Sequence, residues 1–276
     1  MLVCACGLRT VSHVLEGKQV CGVTSLGDEI FLLRPKGHKE IEVYDVTSFQ
    51  LRRCLTVPNA RSFMDMTSCE HFWCLYIADD DVTCIHRVDL RGNAKQWPLD
   101  KAKPRGLSVN NADHNLMVTC PHVRKIKEFS PRGELLRDVS LPDDVINPLH
   151  AVRLTCGMFV VSHGRSKDRV HRVCVISEDG REIVHSHSGQ RVPGIGYYDV
   201  PNHLAVDGKD SVYVVDVSNR RVILLSPKLE FLSQVVSPDQ LEGKPYRICL
   251  DAKRSRLYVT DNIPESIKGR VQMYNV

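Results

Sequence analysis

The segment 201–226, PNHLAVDGKDSVYVVDVSNRRVILLS, holds three short apolar strands separated by turns, and its pattern returns along the whole chain. Leu204-Ala205-Val206 runs into the turn Asp207-Gly208-Lys209-Asp210, followed by the β-branched stretch 212–215, a second turn, and a third strand over 222–225. No part is long enough for a helix. Residues 115–130 overlay 211–226 without a gap, placing Val118 on Val214, Arg124 on Arg220, Ile126 on Val222 and Ser130 on Ser226. Leu75 to Asp79 with Ile85, and Leu257 to Asp261 with Val271, fit the same ruler, and looser copies begin at Ile30 and Met158. About six units with a period of roughly 40–50 residues is the spacing of propeller blades.

The units also carry a family likeness. Pro201, Leu204 to Asp207, Val212 to Asp216 and Asn219 to Val222 resemble the NHL repeat nearly position for position, and Pro245 to Asp261 does so again. Pro104-Arg105-Gly106-Leu107-Ser108-Val109 is the best of the earlier starts. The Tyr258-Val259-Thr260-Asp261 run is also similar to the YWTD propellers of extracellular receptors. The NHL resemblance implies an all-β, six-bladed β-propeller of four-stranded antiparallel blades, one domain over residues 1–276. Units are expected at about 19–57, 59–99, 103–145, 147–200, 201–242 and 243–276. The last lacks an outer strand, whereas Arg9 to Leu15 reads as a strand without a neighbour. An N-terminal strand that completes the last blade would close the ring by sheet hydrogen bonds.

Length alone allows two domains, but the repeat decides for one. The formal net charge of +4 implies no partner by itself. No apolar run approaches about 20 residues, so no membrane span is expected. Met1 to Gly7 is too short and lacks the basic start of a secretory signal. Eleven cysteines, an odd number, fall mostly in expected strands, as Cys74, Cys120, Cys174 and Cys249 do. Buried thiols in a reducing compartment fit that better than disulfides, which places the protein in the cytoplasm.

In a four-stranded meander the turns after strands two and four share one face, and those after one and three share the other. The first face collects base: Arg34, Lys36, His38, Lys39, Arg61, Lys103, Arg105, His122, Arg124, Arg165, Lys167, Arg220, Lys244, Arg247 and Lys268. Against them stand Asp79-Asp80-Asp81, Asp168 and Glu265. The opposite face gathers Asp28, Glu29, Glu70, Asp113, Glu178, Asp179, Asp207 and Asp210, so a nearly neutral chain should be an electrical dipole. The fourth unit is longest, and Gly189, Pro193, Gly194 and Gly196 make its excess a loop ending at Tyr197 and Tyr198.

Cations follow phosphates while aromatic and guanidinium planes stack on bases, so a basic rim with Tyr198 and Tyr246 suits single-stranded RNA. The same rim suits an acidic protein. The ligand-binding candidates are Arg61, Lys103, Arg105, Arg124, Arg165, Tyr198, Arg220, Tyr246 and Arg247. The NHL resemblance favours a protein partner, since this propeller often ends tripartite-motif ubiquitin ligases and selects their substrates or RNA. Any ligase role is expected to be borrowed from a partner or a longer parent chain.

Other residues read as structural. Arg221 is expected to brace strands, and Asp79, Asp216 and Asp261 to accept turn amides. His185 and His187 share a strand face but lack a third donor, so no metal and no other cofactor is expected. Metal-dependent lactonases and lyases with six blades are the catalytic alternative. The gluconolactonase family begins its first strand with Glu-Gly-Pro-x-Trp, where this chain has Glu16-Gly17-Lys18-Gln19-Val20. No nucleophile elbow, Cys-x-x-Cys or phosphate loop is present, so the expectation is a non-catalytic binding platform without a small-molecule substrate.

Overall fold

The computed structural model describes residues 11–35, 38–165, 170–188 and 200–276. An opening strand, β1 (Val11–Lys18), precedes six meanders. The first blade is β2 (Gly22–Leu26), β3 (Glu29–Leu33), β4 (Glu40–Asp45) and β5 (Leu51–Thr56). The second is β6 (Phe63–Cys69), β7 (Cys74–Asp79), β8 (Cys84–Asp89) and β9 (Ala94–Pro98). The third is β10 (Gly106–Val109), β11 (Leu116–Cys120), β12 (Lys125–Phe129) and β13 (Leu135–Ser140). The fourth is β14 (Pro148–Arg153), β15 (Phe159–Arg165), β16 (Val170–Ile176) and β17 (Ile183–His187). The fifth is β18 (Pro201–Val206), β19 (Val212–Asp216), β20 (Arg221–Leu225) and β21 (Phe231–Val236). The sixth has β22 (Lys244–Asp251), β23 (Arg256–Asn262) and β24 (Lys268–Asn275), and β1 supplies its outer strand in the order β1-β24-β23-β22.

The sequence accounts for each layer. Second strands such as β7 (CLYIAD), β11 (LMVTC) and β19 (VYVVD) are buried along their whole length, because a neighbouring blade covers each face, and they read as continuous apolar runs. Fourth strands such as β5 and β13 bury one residue in six and are otherwise exposed or half-exposed. One apolar cluster fills each seam between blades. Phe31 and Ile41 meet Met66 and Leu75 between the first and second blades, and Tyr258, Val271 and Met273 meet Val23 and Ile30 where sixth meets first. At about 1.5–3 kcal/mol for each fully buried large aliphatic side chain, these seams outweigh the surface ion pairs.

The overlay of 115–130 on 211–226 holds in the backbone. Arg124 and Arg220 are both left-handed, with φ of 50° and 51°, at the same turn between second and third strands. The expected aspartates cap strand entries. Asp79 accepts from the amides of Arg61 at 2.7 Å and Ser62 at 3.1 Å, and Asp261 from those of Gly243 at 2.7 Å and Glu242 at 3.0 Å. Asp216 takes Asn219 and the guanidinium of Arg221, each at 2.8 Å, which gives Arg221 its bracing role. Among the described residues, no helix is long and apolar enough to cross a membrane.

Candidate functional site

The innermost strands meet at the pore. In the second, fourth, fifth and sixth blades the first strand pairs at Phe63, Pro148, Pro201 and Pro245, and its ladder is irregular directly afterwards. That irregularity turns the residue two after each of these pairing positions, Asp65, His150, His203 and Arg247, towards the axis. Gly22 and Gly106, which open the first strands of the first and third blades, take the corresponding places in the column. Its two glycines make room: a Cβ on Gly106 would lie 2.5 Å from the Leu149 carbonyl and 2.7 Å from the His150 ring.

The other four side chains form a buried plug drawn from four blades. Asp65 Oδ2 accepts the Leu107 amide at 2.8 Å and lies 3.4 Å from His203 Nε2 and 3.7 Å from His150 Nε2. Arg247 Nε stands 2.9 Å from Asp65 Oδ1 without the alignment of a hydrogen bond, while the guanidinium donates to the Met64 carbonyl at 2.6 Å. The imidazoles of His150 and His203 pack at a tilt of 39° with centroids 3.8 Å apart, and His150 Nε2 donates to the Leu107 carbonyl at 2.9 Å. Burial opposes the Asp65 charge, but the Arg247 guanidinium together with His203 and His150 outweighs it and holds the carboxyl far below its usual range. Burial depresses His150 and His203, so both are neutral near pH 7.

The plug separates two cavities. On the face of the turns after strands one and three lies a funnel of about 890 Å³, with His150 and His203 at its floor. Glu70, Asp113, Asp207, Asp210 and Asp251 line its mouth, with Arg153, Lys253 and Arg254 among them. His71 and His114 stack at its rim with centroids 4.3 Å apart. On the opposite, basic face a smaller pocket of about 250 Å³ is lined by Gln19, Val20, Cys21, Pro35, Phe63, Met64, Arg105, Tyr246, Arg247, Asn262 and Pro264.

Three expected ligand residues, Arg105, Tyr246 and Arg247, converge on this smaller pocket. Arg247 lies inside the pore, 5% exposed, rather than on the rim. Arg61 and Lys103 are exposed on the surrounding loops. Arg124 pairs with Asp143 at 2.8 Å, and Arg220 donates to the carbonyls of Leu241 and, at 3.0 Å, Gly243. Arg165 ends β15, and Tyr198 lies outside the described residues. The other imidazole pair, His185 and His187, sits on outer strand β17, far from the axis in the ladder. Asp65, His150 and His203 escaped the sequence reading, which sorted loops onto faces and left inner strands as core. Laying the six strand starts over one another is the signal that finds them.

Arg105 differs from its neighbours. Half-buried beside Arg247, it has no carboxylate within ion-pair distance among the described residues. Burial, then the Arg247 charge, weigh against its protonated form. Among the described residues it is a desolvated cation with no ion pair, although Asp65 and Asp80 lie near enough to favour its charge.

No family model matches the chain, and no curated protein matches it. Solved structures do. A catalytically inactive virginiamycin B lyase from Staphylococcus aureus with Quinupristin is similar at 14% identity and TM-score 0.65, over 95% of this chain and 88% of that one. The Kuenenia stuttgartiensis hydrazine synthase matches at 13% identity and TM-score 0.65, over 100% of this chain and 99% of its own. A protein of unknown function from Bacteroides caccae matches at 14% identity and TM-score 0.61, over 84% and 86%. The likeness is one of fold.

The buried imidazoles set an acid sensitivity. His163, pushed down to about 4 by burial and by Arg172, joins His150 and His203 in being neutral when folded but free to protonate when unfolded. Their contribution is complete above about pH 6.5 and falls away in acid, that of His163 as pH falls towards 4. His163 alone accounts for roughly 3 kcal/mol. The urea midpoint should therefore drop steadily between pH 7 and pH 4.5. A flat profile over that window would show that these imidazoles protonate in the fold.

Proposed function

We propose that the chain is a non-catalytic binding platform whose basic loop face takes an acidic segment of a partner protein, one carboxylate entering the pocket beside Arg105. The observation that carries this reading is the half-buried Arg105 next to Arg247, with no ion pair among the described residues, since a desolvated guanidinium gains most from a carboxylate. Apolar groups frame it. Phe63, Met64, Pro35 and Pro264 line the pocket, Tyr246 is 37% exposed at its edge, and Ile267 on a neighbouring loop is 77% exposed. Charge steers a partner, whereas such apolar anchors supply affinity, and this favours protein over RNA. The resemblance to the NHL propellers of tripartite-motif proteins supports the same reading, including a substrate-recognition role beside a ubiquitin ligase in the cytoplasm.

The test is fluorescence anisotropy with two probes, labelled acidic peptides and a labelled pool of single-stranded RNA, each at low and physiological salt. Acidic peptides should bind saturably at physiological salt, and Arg105→Glu should weaken them about 10–100-fold, the range for one charge-assisted contact turned repulsive. Arg61→Glu and Lys103→Glu, on exposed loops, should change affinity less than threefold, roughly. RNA binding that survives physiological salt with sequence preference, and peptides that do not bind, would replace this reading with the RNA one.

A further inference from the structure

The plug at the axis is short of partners. His150 Nδ1 and His203 Nε2 are buried and make no hydrogen bond, while Asp65 Oδ1 and Arg247 Nε have only each other, at 2.9 Å. Buried polar atoms are nearly always satisfied, so two orphan imidazole nitrogens beside a buried carboxylate call for an unseen occupant. We propose that Asp65, His150 and His203 form a binding site for a divalent first-row transition ion of the zinc class.

Two imidazoles and one carboxylate are the donor set such ions take, with a position left open. One donor atom from each residue lies within 4.8 Å of the others. An ion with bonds of about 2.0–2.2 Å spans donors up to about 4.4 Å apart, so small ring shifts close the set. The outer contacts are in place. His150 is held through Nε2–H on the Leu107 carbonyl at 2.9 Å, which leaves its other nitrogen as the donor. Arg247 at 2.9 Å orients the Asp65 carboxylate.

The large funnel gives the entry path. Its floor is His150 and His203, and Asp207 and Asp210 at its mouth have no ion pair among the described residues and attract cations, whereas the opposite mouth carries Arg105. A ligand entering through that funnel would complete the coordination, and a small anion there would offset the charge that Asp65 alone cannot. The bound ion would tie together three blades distant in sequence.

The test uses the full chain freed of metal by chelator dialysis and titrated with ZnCl2 by calorimetry and with CoCl2 by visible absorption. One ion per chain is expected, with cobalt d–d bands and no thiolate-to-cobalt band. The double variant His150→Ala, His203→Ala should lose at least tenfold in zinc affinity, and His203→Gln alone should alter the cobalt spectrum should the double variant not fold. Zinc should also raise the thermal midpoint of the native chain. No saturable binding would mean that water fills the plug and would overturn the proposal. Binding unchanged in the variants, or a thiolate band from the free cysteines, would overturn it equally.

Discussion

Replacing Asp65 by alanine is expected to cost about 3–5 kcal/mol, among the largest losses of any single substitution in this chain. Asp65 is fully buried, receives the Leu107 amide at 2.8 Å, and faces the Arg247 guanidinium at 2.9 Å. Without it the Arg247 charge stays in the pore with only the carbonyls of Met64, at 2.6 Å, and Tyr246, at 3.3 Å, for company. The penalty is that of an uncompensated buried charge, not the net worth of the pair. Asp65→Asn keeps an acceptor for the Leu107 amide and should lose about 1–3 kcal/mol. The double variant Asp65→Ala, Arg247→Leu should recover much of the loss, because it removes both charges. Urea unfolding followed by circular dichroism reads all three. A change below about 1 kcal/mol for Asp65→Ala would mean that Arg247 is solvated in the pore.

Removing β1 should be as severe. Its residues pair with β24 from Lys18 on Lys268 to Val11 on Tyr274, and Leu15 packs against the cluster that joins the sixth blade to the first. Losing that ladder, at a net contribution of about 1 kcal/mol per hydrogen bond, amounts to on the order of 5 kcal/mol. That is most of the stability of an ordinary domain. It also turns β24 into an open edge, so the shortened chain should self-associate on gel filtration. A peptide spanning residues 9–18, added in trans, should restore the monomer. A shortened chain as stable as the full one would mean that the apolar seams alone hold the ring.

What the sequence disclosed and what it hid divide along physical lines. Local pattern was legible: second strands buried on both faces, aspartates capping strand entries, and the paired left-handed turns at Arg124 and Arg220 all follow from one repeat. Ring closure was legible too, because a three-stranded last blade and a lone first strand fit only each other. The pore was not. Asp65, His150, His203 and Arg247 are distant in sequence and meet only once six blades close, and each looks, within its own strand, like a polar residue at a strand start. Arg247 shows the limit of sorting residues by loop and face: it sits beside a rim residue, Tyr246, yet points inward to Asp65. The rim candidates divided for the same reason. Sequence gives charge but not spent hydrogen bonds, so Arg124 and Arg220 read like Arg105, although Asp143 and two loop carbonyls hold them and, among the described residues, nothing comparable holds Arg105.

The claim that matters most is that the pocket of Arg105 receives a carboxylate, and the Nε–Hε resonances of Arg105 and Arg247 in a 15N-labelled sample report on it directly. Titration with acetate, against acetamide as the uncharged control, should shift the Arg105 resonance saturably and the Arg247 resonance beside it, with acetamide leaving both in place. Acetate shifts spread evenly over exposed basic residues such as Arg61, with no saturation at Arg105, would contradict the account.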